Sequence, residues 1–329
     1  MTALAATLQA FFTTRLAEQR GASPHTVTAY RDTWRLLLRY VAATTGTPPQ
    51  ALDFPELTAE VIGAFLTHLE HDRGNSVTTR NARLAAIHSV FAYAAYHQPE
   101  HAATIGRVLA IPSKRHHRSD VIYLDPEEVT ALLGAPDRAT RTGRRDHALL
   151  QTAITTGMRV SELTGVEITD VHLGSAAHTL CHGKGRKDRA TPLDQQTVAV
   201  LRVYIAERVT TPGYLFPTRT GTRMSRDAVA ARLAQHTATA AIACPSLAGK
   251  NITPHSLRHT CAMRLLDAGI DITVIALWLG HESIETTQIY LHASIKTKEA
   301  ALARTTPTGT KPGRYKPADD TLLAFLQAL

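Results

Sequence analysis

Apolar residues recur at helical spacing through most of this chain, and that period limits the folds open to it. After Ser23 and Pro24, where the hydroxyl can cap orphan backbone donors and proline suits the first helical position, Val27, Tyr30, Trp34, Leu37, Leu38 and Val41 form one stripe. Thr58 precedes a second stripe of Ile62, Phe65, Leu66 and Leu69, and a third runs through Leu84, Ile87, Val90, Phe91 and Ala94. With the apolar opening segment of Leu8, Phe11, Phe12 and Leu16, these predict a helical bundle over residues 1–111. The stripes alone speak of packing and nothing more.

Residues 112–120 lack periodicity and carry Lys114, Arg115 and Arg118, so they read as a basic linker, either merely solvated or tracking a phosphate backbone. A second domain is expected over 121–302. It opens at Asp125, Pro126 and Glu128, a helix start with glutamate three after the cap, and that helix stops at Gly134. Another runs from about Arg145 to Gly157. A short hairpin is expected from His178 to Cys181 and from Arg189 to Leu193, and helical patterns resume at Val198 to Ile205, Ala228 to Leu233 and Thr253-Pro254 onward. The predicted class is mostly α, in two domains, a helical bundle and a mainly helical domain with one small sheet. Residues 303–329 read as an extended tail whose last segment, with Leu322, Leu323, Phe325, Leu326 and Leu329, is too apolar to stay exposed. It should dock, in cis or on a neighbouring protomer.

Composition then narrows the function. The 329 residues are 44% apolar and 19% charged, which excludes a disordered chain and suffices for two cores. Lys and Arg exceed Asp and Glu by eight, a balance that favours a polyanionic partner. Three widely spaced cysteines, Cys181, Cys244 and Cys261, indicate neither a disulfide framework nor a zinc cluster. No positive charge precedes Arg15, and no apolar run approaches the roughly eighteen residues of a membrane span. The expectation is a cytoplasmic protein without a membrane partner, so the positive charge points to nucleic acid.

Several local patterns could carry chemistry. Arg159 follows a glycine-ended helix, and Glu162, three positions on, could orient its guanidinium or simply form a surface pair. The turn from Gly183 to Asp188 sets Lys184, Arg186 and Lys187 between and beyond two glycines, with Arg189 just after. Such a loop is either a solvated turn or one that lays cations against a phosphate. His255 and Arg258 sit one turn apart near the positive end of the helix that starts at Pro254. His255 and His259 are also at i, i+4, but a zinc-binding helix of the protease type needs glutamate where Ser256 stands, so no metal is expected. His281 precedes Tyr290 by nine positions.

The ordered set Arg159, Lys184, His255-x-x-Arg258, His281 and Tyr290 resembles the tyrosine recombinases, also called phage integrases, above all their Xer-like and transposon-borne members. The resemblance spans nearly the whole chain, a helical core-binding domain followed by a catalytic domain. It implies that Tyr290 attacks a DNA phosphodiester to leave a 3′-phosphotyrosyl link and a free 5′-hydroxyl. It further implies that His255 accepts the phenol proton, that Arg159, Arg258 and His281 hold the non-bridging oxygens, and that Lys184 protonates the leaving oxygen. Glu162 matches an acidic position that steadies Arg159, and neither cofactor nor metal is implied. Lys114, Arg115, Arg118, Arg186, Lys187 and Arg189 are then expected at the DNA. The implied partner is a double-stranded recombination site, engaged by a homotetramer, alone or with a second recombinase, that exchanges strands through a Holliday junction. Two rivals remain: a type IB topoisomerase, against which the compact size and helical N-terminal domain speak, and a non-catalytic DNA-binding regulator.

Overall fold

Short polar side chains set most of the helix starts. In the computed structural model, which describes residues 1–115, 121–183, 188–208, 213–281 and 283–293 (backbone alone for 291–293), the chain divides into two compact units, Met1–Ser119 and Asp120–Leu329. In the first unit the hydroxyls of Thr2, Ser23, Thr58 and Ser76 accept from backbone N–H groups at the starts of α1 (Ala3–Ala10), α2 (Pro24–Thr45), α3 (Ala59–His71) and α4 (Val77–Ala94). Helix α1 continues as a π-helix over Phe11–Gln19, and α5 (Ala102–Leu109) closes the bundle. The three predicted stripes face one core, in which Phe91 stacks on Trp34 with centroids 6.2 Å apart and meets the edge of Phe54 at 5.9 Å. Helix α5 lies outside the predicted stripes, although Ile105, Val108 and Leu109 stand at helical spacing and turn to the same core.

Lys114 is held back onto this unit. Its Nζ lies 2.6 Å from Glu70 Oε2, and the Asn81 side chain bonds both its N–H and its carbonyl. Arg115 is exposed, and Arg118 lies outside the described residues.

The second unit is built around α7 (Arg141–Thr156), whose Ala148, Leu149, Leu150, Ala153 and Ile154 are buried. It begins four residues before the expected Arg145, because the Thr140 hydroxyl accepts from Gly143 and caps it. Helix α6 (Pro126–Gly134) has the expected capping box of Asp125 and Glu128. Helix α8 (Val160–Gly165) follows α7. Strands β1 (Val171–His172), β2 (His178–His182) and β3 (Asp188–Pro192) form an antiparallel sheet in that order, with Cys181 opposite Arg189. The expected hairpin is therefore flanked by one further two-residue strand.

Helices α9 (Gln195–Ala206), α10 (Arg226–Ala243), α11 (Pro254–Asp267), α12 (Ile272–Leu279) and α13 (Glu285–Ala293) complete the unit. Helix α12 carries apolar residues almost all round, so it presents no stripe for sequence periodicity to find. Gly157 turns the chain at the end of α7 with φ +62°. A Cβ there would sit 2.5 Å from Leu279 Cδ2 and 3.1 Å from Cys261 Sγ, so α7, α11 and α12 meet where only glycine fits. The tail, residues 303–329, lies outside the described residues.

Phe91 is fully buried where α2 and α4 meet, so Phe91→Ala should cost about 3–5 kcal/mol. Urea denaturation followed by Trp34 fluorescence in a Trp278→Phe background measures the loss in the first unit alone.

Candidate active site

The site grows from the end of a helix. The last carbonyls of an α-helix have no intrahelical partner and carry the negative end of its dipole. At the end of α12, three consecutive carbonyls each accept from a different arginine. Trp278 O accepts from Arg189 Nε at 3.1 Å, Leu279 O from Arg258 Nη2 at 2.7 Å and Gly280 O from Arg159 Nη2 at 3.0 Å. Arg258, brought from the second turn of α11, is 1% exposed and also donates from Nη1 to Gly157 O at 2.6 Å. The sharp turn at Gly157 thus offers the carbonyl that holds it.

Arg159 does not share a helical turn with Glu162 as the spacing suggests. It caps α8 from outside, its N–H donating to Glu162 Oε2 at 2.8 Å while its Nη1 donates to Oε1 at 2.9 Å. The buried Glu162 carboxylate also receives Arg189, Nη1 to Oε1 at 3.2 Å and Nη2 to Oε2 at 2.9 Å. Burial raises its pKa, but the Arg189 and Arg159 contacts outweigh burial and hold it below the usual carboxylate value.

Arg159 and Arg258 thus lie on adjacent carbonyls, and their charges repel. Burial first, then Arg159, lowers the Arg258 pKa to about 10, so it stays charged at neutral pH. The same cations reach the imidazoles. His255, in the first turn of α11, keeps part of its ring in solvent; partial desolvation, then Arg258 and Arg159, hold its pKa below the ordinary value. His281 follows Gly280 and bonds Thr287 Oγ1 through Nδ1 at 2.6 Å, and burial with the Arg258 and Arg159 charges pushes its pKa to about 4. Both are neutral at pH 7.

Tyr290, on α13, is 1% exposed, and its hydroxyl is 2.9 Å from His259 Nδ1. Burial raises the phenol to about 12, partly opposed by Arg258. His259 itself falls to about 4 through burial, His255 and Arg258. Its ring meets His255 edge-on, with centroids 4.4 Å apart.

Of the residues singled out from sequence, Arg159, Glu162, His255, Arg258, His281 and Tyr290 converge in this neighbourhood. Lys184, Arg186 and Lys187 lie outside the described residues. Arg189 is a correction: it was expected at the DNA, but its side chain is 14% exposed and spent on Glu162 and Trp278. The alternating strand explains this, because Arg189 pairs across from buried Cys181 and shares its inward face. His259 was missed as a partner of the phenol. Its i, i+4 relation to His255 was the only local signal, and that spacing points to a metal rather than to Tyr290. Among the described residues, no group of three or more His, Cys, Asp or Glu could hold a metal ion, and no helix is long and apolar enough to cross a membrane.

The chain matches the phage integrase family over residues 123–297 and the phage integrase N-terminal SAM-like domain over residues 9–98. It is 53% identical to a Sinorhizobium fredii protein provisionally named integrase/recombinase y4rC, over 99% of this chain and 98% of that one. It is 34% identical to the tyrosine recombinase XerC of Pelobacter propionicus, over 86% and 90% of the two chains. Its fold is similar to that of the Tn1549 transposon integrase in complex with transposon right end DNA, with a TM-score of 0.68 at 17% identity, covering 92% of this chain and 99% of that one. A fold held by cationic side chains around one buried phenol, matched along both units, defines the class. The chain belongs to the phage integrase, or tyrosine recombinase, family of site-specific recombinases.

Because His259 and His281 titrate near 4 in the folded chain against an ordinary 6.5, the unfolded chain takes up their protons first as pH falls. Stability from these two groups is full above about 6.5 and is lost progressively down to about 4. A His259→Asn, His281→Asn double variant should therefore lose less Tm than the parent between about pH 7 and pH 5, as scanning calorimetry would show.

Proposed function

We propose that the site cleaves and rejoins DNA through Tyr290. The observation that carries this reading is the pair of guanidiniums, Arg159 and Arg258, fixed on adjacent carbonyls and repelling each other, with the neutral imidazoles of His255 and His281 within reach of their charges. Such a pair favours an anion between its arms, and planar forks suit a phosphate that gains negative charge on its non-bridging oxygens. The phenol oxygen forms a bond to phosphorus while the P–O5′ bond breaks. The phenol proton passes to His255, which is neutral and able to take it, and Lys184 gives a proton to the departing 5′-oxygen. The product is a 3′-phosphotyrosine that stores the energy of the broken phosphodiester, so a 5′-hydroxyl of another strand can reverse the step without ATP.

A phenol held near 12 and out of water is protected until it leaves His259, so DNA binding must bring the Tyr290 oxygen and the phosphate together. We assign residues 1–111 and 121–302 as core-binding and catalytic domains, joined by the basic linker 112–120, with most affinity from phosphate contacts. Lys114, Arg115, Arg118, Arg186 and Lys187 are the cations for that backbone. The enzyme acts in the cytoplasm on a recombination site carried by a mobile element or chromosome. Four protomers synapse two duplexes and exchange strands through a Holliday junction, alone or with a second recombinase, the tail 303–329 docking between protomers. The names of the relatives and the DNA in the Tn1549 integrase complex support the DNA partner.

A duplex site recovered by binding selection from a random-sequence library, then nicked to trap the cleaved end, tests the reading. The parent protein should give a detergent-resistant covalent adduct whose yield a chelator leaves unchanged. Tyr290→Phe should bind the duplex and give none. No adduct from the parent on a verified site would leave a DNA-binding regulator as the better description.

A further inference from the structure

Arg189 has a place in the site that neither its sequence position nor the proposed chemistry accounts for. Its fork is bidentate on Glu162, and its Nε donates to Trp278 O. Those are the two supports on which both phosphate-gripping arginines rest. Glu162 is the carboxylate that holds Arg159, and the residues after Trp278 supply the carbonyls that hold Arg258 and Arg159. The two oxygens of Glu162 accept four bonds in all, two from Arg159 and two from Arg189, so its plane has no freedom left. The packing is equally close. Gly280 has φ +64°, and a Cβ there would stand 2.9 Å from Arg189 Nη1.

Charge adds a second reason. A carboxylate held by Arg159 alone would neutralise it. Shared with Arg189, the same carboxylate offsets only part of each guanidinium and leaves Arg159 with field to spare for a phosphate. We propose that Arg189 is a positioning residue of the strand-cleaving site, which sets the orientation and the free charge of Arg159 through Glu162 and braces the α12 carbonyls under Arg258. This rests on the cleavage reading above. The three side-chain nitrogens of Arg189 all donate within the protein.

The test measures single-turnover adduct formation on the selected nicked site for the full-length parent, Arg189→Gln, Arg189→Lys, Arg159→Ala and Lys184→Ala, with thermal melting of each protein alongside. Arg189→Gln should cleave roughly 10- to 100-fold more slowly, the loss expected when a gripping group is displaced by about 1 Å. Arg189→Lys should recover only part of this, since an ammonium cannot make the two-armed contact. Two altered substrates then separate the roles. A methylphosphonate at the scissile position removes the negative charge of one non-bridging oxygen, so the deficits of Arg189→Gln and Arg159→Ala relative to the parent should shrink together. A 5′-bridging phosphorothiolate, whose sulfur leaves without a proton, should rescue Lys184→Ala and leave Arg189→Gln impaired.

Equal impairment of Arg189→Gln on the ordinary and the methylphosphonate substrates would mean a role in folding alone and overturn the proposal. Rescue of Arg189→Gln by the phosphorothiolate, or cleavage at the parent rate, would overturn it as well. Failure of the underlying reading looks different: the parent gives no adduct, or Tyr290→Phe still gives one.

Discussion

Everything at the centre of the catalytic unit depends on the unpaired carbonyls that end α12. A helix end buried without partners is costly, and here the partners are guanidiniums from three separate elements: β3, α11 and the residue that caps α8. The helix satisfies its last carbonyls only when β3, α8 and α11 are in place, and the arginines complete their sets of acceptors only when α12 is. One set of bonds therefore fixes the fold of the unit and the geometry of its site together. The two glycines at its corners, Gly157 and Gly280, mark where the backbone turns left-handed and where a Cβ would displace the side chains of Leu279 and Arg189.

Arg159 and Arg189 share one carboxylate, Glu162, while Arg258 is held by carbonyls alone, so the neighbourhood keeps a surplus of positive charge. Carbonyl dipoles offset part of the desolvation, and the histidines respond by giving up their protons rather than adding to the charge. The result is a neighbourhood of fixed cations beside neutral imidazoles. Tyr290 lies beside it in the opposite condition, its phenol fully protonated against His259 and shielded from water.

Helices α2, α3 and α4 were legible because their stripes are long and their caps are Ser or Thr; Thr58 and Ser23 are examples. Helix α12 was not legible, because its eight residues are apolar around most of their circumference and carry no period. Arg189 was misplaced for a related reason. In a run of cations after a glycine turn, nothing local says which one the strand alternation turns inward, and only the pairing with buried Cys181 decides it. His259 illustrates the same limit: its neighbour in sequence suggested a metal pair, while its actual partner comes from a helix 31 residues away.

The sequence by itself determined the helical class, the division into two units and the set of charged and phenolic residues that the fold brings together, since periodicity, caps and ordered spacing are properties of the chain taken locally. Only the tertiary structure decided that Arg189 turns inward onto Glu162 and Trp278 O, which histidine meets the phenol, and which way each pKa moves from its ordinary value. Those outcomes depend on desolvation and on distances between elements far apart in the chain, and neither quantity exists until the helices pack.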